Sequence, residues 1–256
     1  MPVSELKRPQ TALVLSGGGL FGAYQAGAWR ILAGRFHPDL VVGASIGAVN
    51  GWMIAGGCPQ ETMERHWLDL AEAGNIRWRR PPHPWRGVMD SAPVGEALRS
   101  IQAAYAPRCE YALVVTEMPR MRPRIVRGAE VTWRHLAASC SLPFVFEPVR
   151  IGGRLYTDGG LLCANPIWAA AALGARRVIA VNVLDRMPSS ILRCGAAALR
   201  RIAPFRPFVP ASLEVSVLTP SDPLGSVRES LRPDARLVRK WLELGAADAE
   251  RWEALR

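Results

Sequence analysis

Ser45 stands in Gly43-Ala44-Ser45-Ile46-Gly47, a G-x-S-x-G pattern between an apolar run, DLVVGA, and a helix-patterned run, IGAVNGWMIAG. Between a strand and a helix, this pattern makes a nucleophile elbow. Small flanking residues admit the sharp turn, and a helix beginning behind the serine aims amides and its positive end at charge that develops during attack. A serine hydroxyl is a weak nucleophile until a neighbouring base takes its proton, so the chain must supply one.

The four histidines are His37, His66, His83 and His135. In an α/β-hydrolase triad the order is serine, acid, histidine, but no histidine follows position 135, and His135 lies in the helix-patterned VTWRHLAAS. His37 and His83 adjoin prolines in loops, and His66 reads as an ordinary helical residue. The better candidate base is Asp158 in RLYTDGGLLCANP, where extended residues lead into Asp158-Gly159-Gly160. A carboxylate serves as base for a hydroxyl only in direct contact, with water restricted and the developing oxyanion stabilised. An ordinary surface Asp-Gly turn is the plainer reading of the same residues.

Oxyanion donors have a candidate in Ser16-Gly17-Gly18-Gly19-Leu20-Phe21-Gly22, a loop between a strand-like and a helix-like run, whose successive amides suit a negative oxygen. Gly17, Gly19 and Gly22 also satisfy the dinucleotide pattern G-x-G-x-x-G. The acid at the expected distance, Asp39, precedes the second strand, whereas a ribose-binding acid belongs near that strand's C-terminal end. No Gly-Lys-Ser or Gly-Lys-Thr follows, so a Walker loop fits less well still.

Together GGGLFGAYQAG, GASIGAVN and the Asp158-Gly159-Gly160 segment resemble the patatin-like phospholipase family. The resemblance spans roughly residues 10 to 185, including the linking ASCSLPFVFEP. It implies a Ser-Asp dyad on an α/β fold, with Ser45 as nucleophile, Asp158 as its partner and Gly17, Gly18 and Gly19 as the oxyanion loop. The chain departs from the family at Phe21, where a basic residue is usual. The implied activity is that of a serine esterase or lipid acyl hydrolase, acting on ester-containing lipids through an acyl-enzyme. Acyl transfer by the same dyad and a noncatalytic binding module are the alternatives.

These segments must be positioned by a scaffold, and the patterning supplies one. TALVLS, DLVVGA, ALVVTEM, RVIAVNVL and EVSVLT read as core strands, the last of them as the final central strand. Helix-like spacing falls over residues 23–36, 46–56 and 61–73, resumes near Pro93 and again from Pro166, and returns from Asp234, a plausible cap for the closing amphipathic helix. Strands interleaved with helices predict an α/β three-layer sandwich whose mostly parallel central sheet is covered on both faces, with ligands beyond the carboxyl ends of the strands.

With 256 residues, 49% of them hydrophobic and 21% charged, the chain can furnish a sizeable core, and one α/β domain over residues 1–256 is the expectation. Fibrous, coiled-coil and disordered classes are excluded. Lysine plus arginine exceed aspartate plus glutamate by 32 to 22, and only Lys7 and Lys240 are lysines, so the positive charge is almost wholly arginine. Trp78, Arg79, Arg80, Trp85 and Arg86, and the run from Ile191 to Pro210 with Arg193, Arg200, Arg201 and Arg206, suit peripheral contact with an anionic membrane. No zinc-finger spacing, homeodomain-like arrangement or base-stacking motif accompanies the charge, so a specific nucleic-acid partner is not expected.

The five cysteines are widely spaced and lack a C-x-x-C pair, which fits free thiols in a reducing compartment and neither a metal nor a disulfide framework. MPVSELKRPQ lacks a signal-like apolar segment, and the cytoplasm is the expected location. The chemistry needs no cofactor.

Overall fold

The computed structural model describes residues 10–74, 78–83, 86–185 and 205–254, with Ala198, Arg201 and Ala203 between them. The N-terminal decapeptide other than Gln10, Trp85, Cys194 and most of the Ile191–Ala203 run lie outside the described residues.

Five strands form the parallel body of the sheet: β1 (Thr11–Leu15), β2 (Leu40–Ala44), β3 (Glu110–Met118), and, after three antiparallel strands, β7 (Arg177–Val181) and β8 (Glu214–Leu218). The antiparallel strands are β4 (Arg122–Arg127), β5 (Val149–Ile151) and β6 (Arg154–Thr157). The order is β5-β6-β3-β2-β1-β7-β8, with β4 paired separately to β3.

Alternation along the strands builds two cores. Leu13, Leu15, Val41, Leu113, Ile179 and Val181 face one side, while Ala12, Val14, Val42, Ala112, Val178 and Ala180 face the other. The first face is covered by α1 (Gly22–Leu32), α2 (Ile46–Ala55), α3 (Gln60–Ala73) and, further on, α4 (Ala92–Ala104) and α5 (Trp133–Ser139). The second is covered by α6 (Ile167–Ala172), whose Ala169 and Ala170 are fully buried. β1, β2, β3 and β7 are buried on both faces and so read as continuous apolar runs, which is why the sequence exposed them.

The closing helix α7 (Ala235–Ala254) starts as expected: Asp234 Oδ1 accepts from the amides of Arg236 at 2.8 Å and Leu237 at 3.3 Å. It packs on α1, and its buried Trp241 meets Phe21 edge-on with centroids 5.1 Å apart. Phe21, where the resemblance implies a basic residue, thus puts a ring into the core.

Two expectations need correction. EVSVLT forms β8 as an edge strand among the described residues, not a central one: of these it pairs with β7 alone, and Val215 and Val217 stay 38% and 39% exposed. The first helix ends at Leu32, short of Phe36, where the chain turns to enter β2. RPRIVR was not anticipated as a strand; its arginines and Pro123 are tolerated because β4 lies at an edge.

Pairing along β3 decides where the candidate residues meet. Residues 110–114 pair with β2 and residues 112–117 with β4, so those two strands occupy opposite edges of β3. Residues 116–118 pair with β6, which must therefore lie on the β2 edge, beyond β2's carboxyl end. Because β6 is antiparallel, it runs back toward β2. Ala44 ends opposite Val114, and Thr157 ends opposite Thr116, so Ser45 and Asp158 leave their strands at facing ends.

Candidate active site

Ser45 occupies the turn from β2 into α2 with φ 53° and ψ −130°, a left-handed conformation unusual for a residue with a Cβ. The crossing is tight enough that a Cβ at Gly47 would lie 2.3 Å from the carbonyl oxygen of Leu15. The G-x-S-x-G glycine is thus demanded by close approach. Ser45 itself is partly exposed, at the N-terminal end of α2, whose positive end favours anionic charge there.

Asp158 is 4% exposed. Its backbone is fixed by three contacts: its amide donates to Ser141 O at 3.0 Å, the Thr116 hydroxyl donates to its carbonyl at 2.9 Å, and the next amide, Gly159, donates to Ser139 O at 3.1 Å. Gly159 passes so close to β3 that a Cβ there would lie 1.8 Å from Val114 O. Oδ1 accepts the Gly160 amide at 2.7 Å. Burial pushes the carboxyl up to about 6 from its ordinary 3.8, and hydrogen bonding from the Ser45 hydroxyl and the Gly160 amide holds it from rising further.

The glycine loop closes the third side. A Cβ at Gly17 would stand 3.1 Å from Ser45 Cβ, and Gly160 lies against the Gly17 backbone. The Gly17 amide donates to Ala164 O at 2.9 Å, beyond the aspartate turn. Gly18 and Gly19 donate no backbone hydrogen bond among the described residues. The loop is held from behind by a buried polar chain. Trp67 Nε1 donates to Asn50 Oδ1 at 3.2 Å, Asn50 Nδ2 donates to Gln25 Oε1 at 2.9 Å, and Gln25 Nε2 donates to Ser16 O at 2.7 Å.

Sequence reading brought these three segments together but passed over the tripeptide that braces them, Ser139-Cys140-Ser141, treated there only as part of a link. The Ser139 hydroxyl accepts the Ser45 amide at 2.9 Å and donates to Val114 O at 2.7 Å. The Cys140 thiol lies near both Ser45 and Asp158; burial and the Asp158 charge push its pKa well up, keeping it a neutral thiol. Three polar residues around an apolar turn carry no periodic signal, which is why they were missed.

The histidines are engaged elsewhere. His135 Nδ1 accepts the Thr132 amide at 3.2 Å as part of the α5 cap, and burial lowers its pKa. His66 pairs with Tyr105 at 3.2 Å. Asp39 accepts the amides of Gln10 at 3.1 Å and Thr11 at 3.0 Å, at the opposite end of the sheet from Ser45, so it offers nothing to a dinucleotide at the glycine loop. Among the described residues Cys58, Cys109, Cys140 and Cys163 are in no disulfide, and no group of three metal-ligating side chains occurs.

The Ser45 side chain and the buried Asp158 carboxyl stand together beside the Gly17 backbone, and the same loop carries the amides of Gly18 and Gly19. Such an arrangement can activate a hydroxyl for attack on an electrophilic carbonyl.

Comparison with known proteins gives the arrangement a context. The family model described as "Patatin-like phospholipase" matches residues 13–171. An "Uncharacterized NTE family protein" of Mycobacterium tuberculosis is 28% identical over 186 residues, 68% of this chain and 49% of that protein. "Patatin-like phospholipase domain-containing protein 7" of Mus musculus is 27% identical over 198 residues, 73% of this chain and 14% of that protein. The chain thus spans about half the length of the first relative and a small part of the second. The crystal structure of VipD from Legionella pneumophila superposes with a TM-score of 0.52 at 11% identity, covering 97% of this chain and 67% of that one, a likeness of fold.

Proposed function

The chain belongs to the patatin-like phospholipase family, and on that premise we propose that it is a serine lipid acyl hydrolase that cleaves carboxylic esters through a Ser45–Asp158 dyad. Ser45 Oγ attacks the acyl carbonyl as its proton passes to Asp158. The oxyanion is met by the amides of Gly18 and Gly19, while Gly17, whose amide is already given to Ala164, supplies the close approach to Ser45. The alcohol leaves with the proton from Asp158, and water, deprotonated by the same carboxylate, releases the acid from the acyl-enzyme. The observation that carries this reading is the meeting of Ser45 and the buried Asp158 at facing strand ends.

The substrate we propose is an ester-bearing lipid reached from a membrane surface. Trp78 and Phe144, 66% and 65% exposed, are joined through neighbouring backbone: Trp78 bridges to Met89, and Val88 donates to Phe144 O at 3.0 Å. Arg79 and Arg86 both lean on the one carboxylate of Glu147, which leaves positive charge beside the aromatics. That combination suits an anionic lipid interface. No helix among the described residues is long and apolar enough to cross a membrane.

The test is intact-protein mass after exposure to a serine-directed phosphonate. Stoichiometric labelling of native protein and none of Ser45→Ala is expected; equal labelling of both, or of neither, overturns the assignment.

A further inference from the structure

A cavity of about 490 Å³, within the range of small-molecule sites, lies between α4, α5 and the chain entering β5, and reaches the dyad's neighbour Cys140 but neither Ser45 nor Asp158. Val94, Trp133, Ala137, Phe146 and Val149 give it apolar walls. Cys140 and Ser141 line it as well. Those two residues form the other side of the catalytic wall: the Cys140 thiol is close to Ser45 and Asp158, and Ser141 O holds the Asp158 amide at 3.0 Å. Trp133, at the other end of α5 from Cys140, also lines it, with Arg99 stacked on the ring at 4.5 Å and Arg134 at 5.4 Å.

We propose that this cavity is the acyl-chain subsite, and that α5 sets the chain length it accepts. The proposal rests on the hydrolase reading of Ser45 and adds which part of the substrate lies on the Cys140 side. The occupant is the acyl chain, because Val94, Ala137, Phe146 and Val149 offer it apolar walls, Cys140 links them to the nucleophile's surroundings, and the guanidiniums of Arg99 and Arg134 lie on Trp133, at the other end of α5. The seven residues of α5 extend about 10 Å. An extended chain advances about 1.2 Å per bond, so about eight carbons fill the path before the chain meets the Trp133–guanidinium stack.

Gly95 points to the same use. It lies inside α4 and lines the cavity, where glycine disfavours the helix relative to alanine. Packing does not require it: an added Cβ would meet only the Trp133 ring, at an ordinary 3.5 Å. What glycine preserves there is open volume beside Trp133.

Two measurements test the subsite. In the first, kcat/KM of native protein is followed over p-nitrophenyl esters from acetyl to dodecanoyl. A rise of roughly fourfold per buried methylene, levelling near eight carbons, is expected. Gly95→Phe and Ala137→Phe fill the cavity from opposite walls, and each should lower the octanoyl-to-acetyl ratio at least about tenfold, with Gly95→Ala lowering it by a smaller factor. Chain-length profiles unchanged in both folded phenylalanine variants would overturn the proposal. The second measurement is calorimetric binding of 1-octanol to Ser45→Ala protein, which needs no turnover and so separates failure of the subsite from failure of the hydrolase reading. Binding that Gly95→Phe weakens supports the subsite even in a protein without esterase activity; octanol binding that is absent, or indifferent to both phenylalanine variants, sinks it.

Discussion

The backbone amide of Ser45 donates to the hydroxyl of Ser139 at 2.9 Å, across 94 positions of sequence. That hydroxyl in turn donates a hydrogen bond to Val114 O at 2.7 Å, and the Ser139 carbonyl accepts the amide of Gly159 at 3.1 Å. One residue therefore ties the serine turn, the central strand and the aspartate turn together. In this role Ser139 is a positioning residue.

Replacing it tests that role. Ser139→Ala leaves the Ser45 amide and Val114 O without their partner in a buried setting, and should cost about 1–3 kcal/mol of stability. The kinetic loss should fall on kcat, because the nucleophile is displaced. Ser139→Thr, which keeps the hydroxyl, should recover part of it. A kcat equal to native in Ser139→Ala would remove the residue from the catalytic account.

Asp158 should set the acid limb of activity. Ester turnover needs its ionised form, so kcat/KM should fall as pH drops through about 6, with a slope of one proton. Stability runs the opposite way. The folded carboxyl holds its proton more tightly than the unfolded one, ordinarily near 3.8, so stability is highest below that value and declines as pH rises through about 6. The full difference is about 3 kcal/mol. Asp158→Asn should therefore be inactive yet more stable than native protein at pH 8, and similar to it near pH 4, as read by denaturant melts at both pH values.

The serine turn should store strain that chemistry requires and stability does not. Glycine adopts φ 53° and ψ −130° without a Cβ penalty, so Ser45→Gly should be more stable than Ser45→Ala by about 1–3 kcal/mol. Both should lose turnover by more than about a thousandfold. Equal stability of the two variants would show that the turn costs nothing.

Membrane contact should depend on Trp78 and Phe144 and not on the dyad. The double variant Trp78→Ser with Phe144→Ser should lose sedimentation with anionic vesicles while keeping turnover of a soluble short-chain ester. Binding of native protein should weaken with salt, as expected for arginines facing lipid phosphate. Native protein that ignores anionic vesicles at every salt concentration would discard this surface.

Most of the scaffold was legible in the sequence because its signals are local. Strands buried on both faces must be apolar throughout, a turn that brings Gly47 against Leu15 O must use glycine, and Asp234 caps the helix that follows it. The same locality marked Ser45, Asp158 and the glycine loop as groups suited to one chemistry. Edges were harder: β4 carries arginines and a proline because solvent covers one side, so its pattern resembles a loop.

What the sequence by itself determined was which residues had the chemistry and which turns could hold them. The tertiary structure alone decided that Ser45 and Asp158 meet, because β6 runs antiparallel along the edge of β3 that β2 has vacated, and strand pairing across so many residues leaves no local trace. It also decided that Gly17 gives its amide to Ala164, that Ser139 braces the elbow, and that an apolar cavity opens behind Cys140. Each of these depends on backbone groups that every residue carries, so only their placement in space distinguishes them.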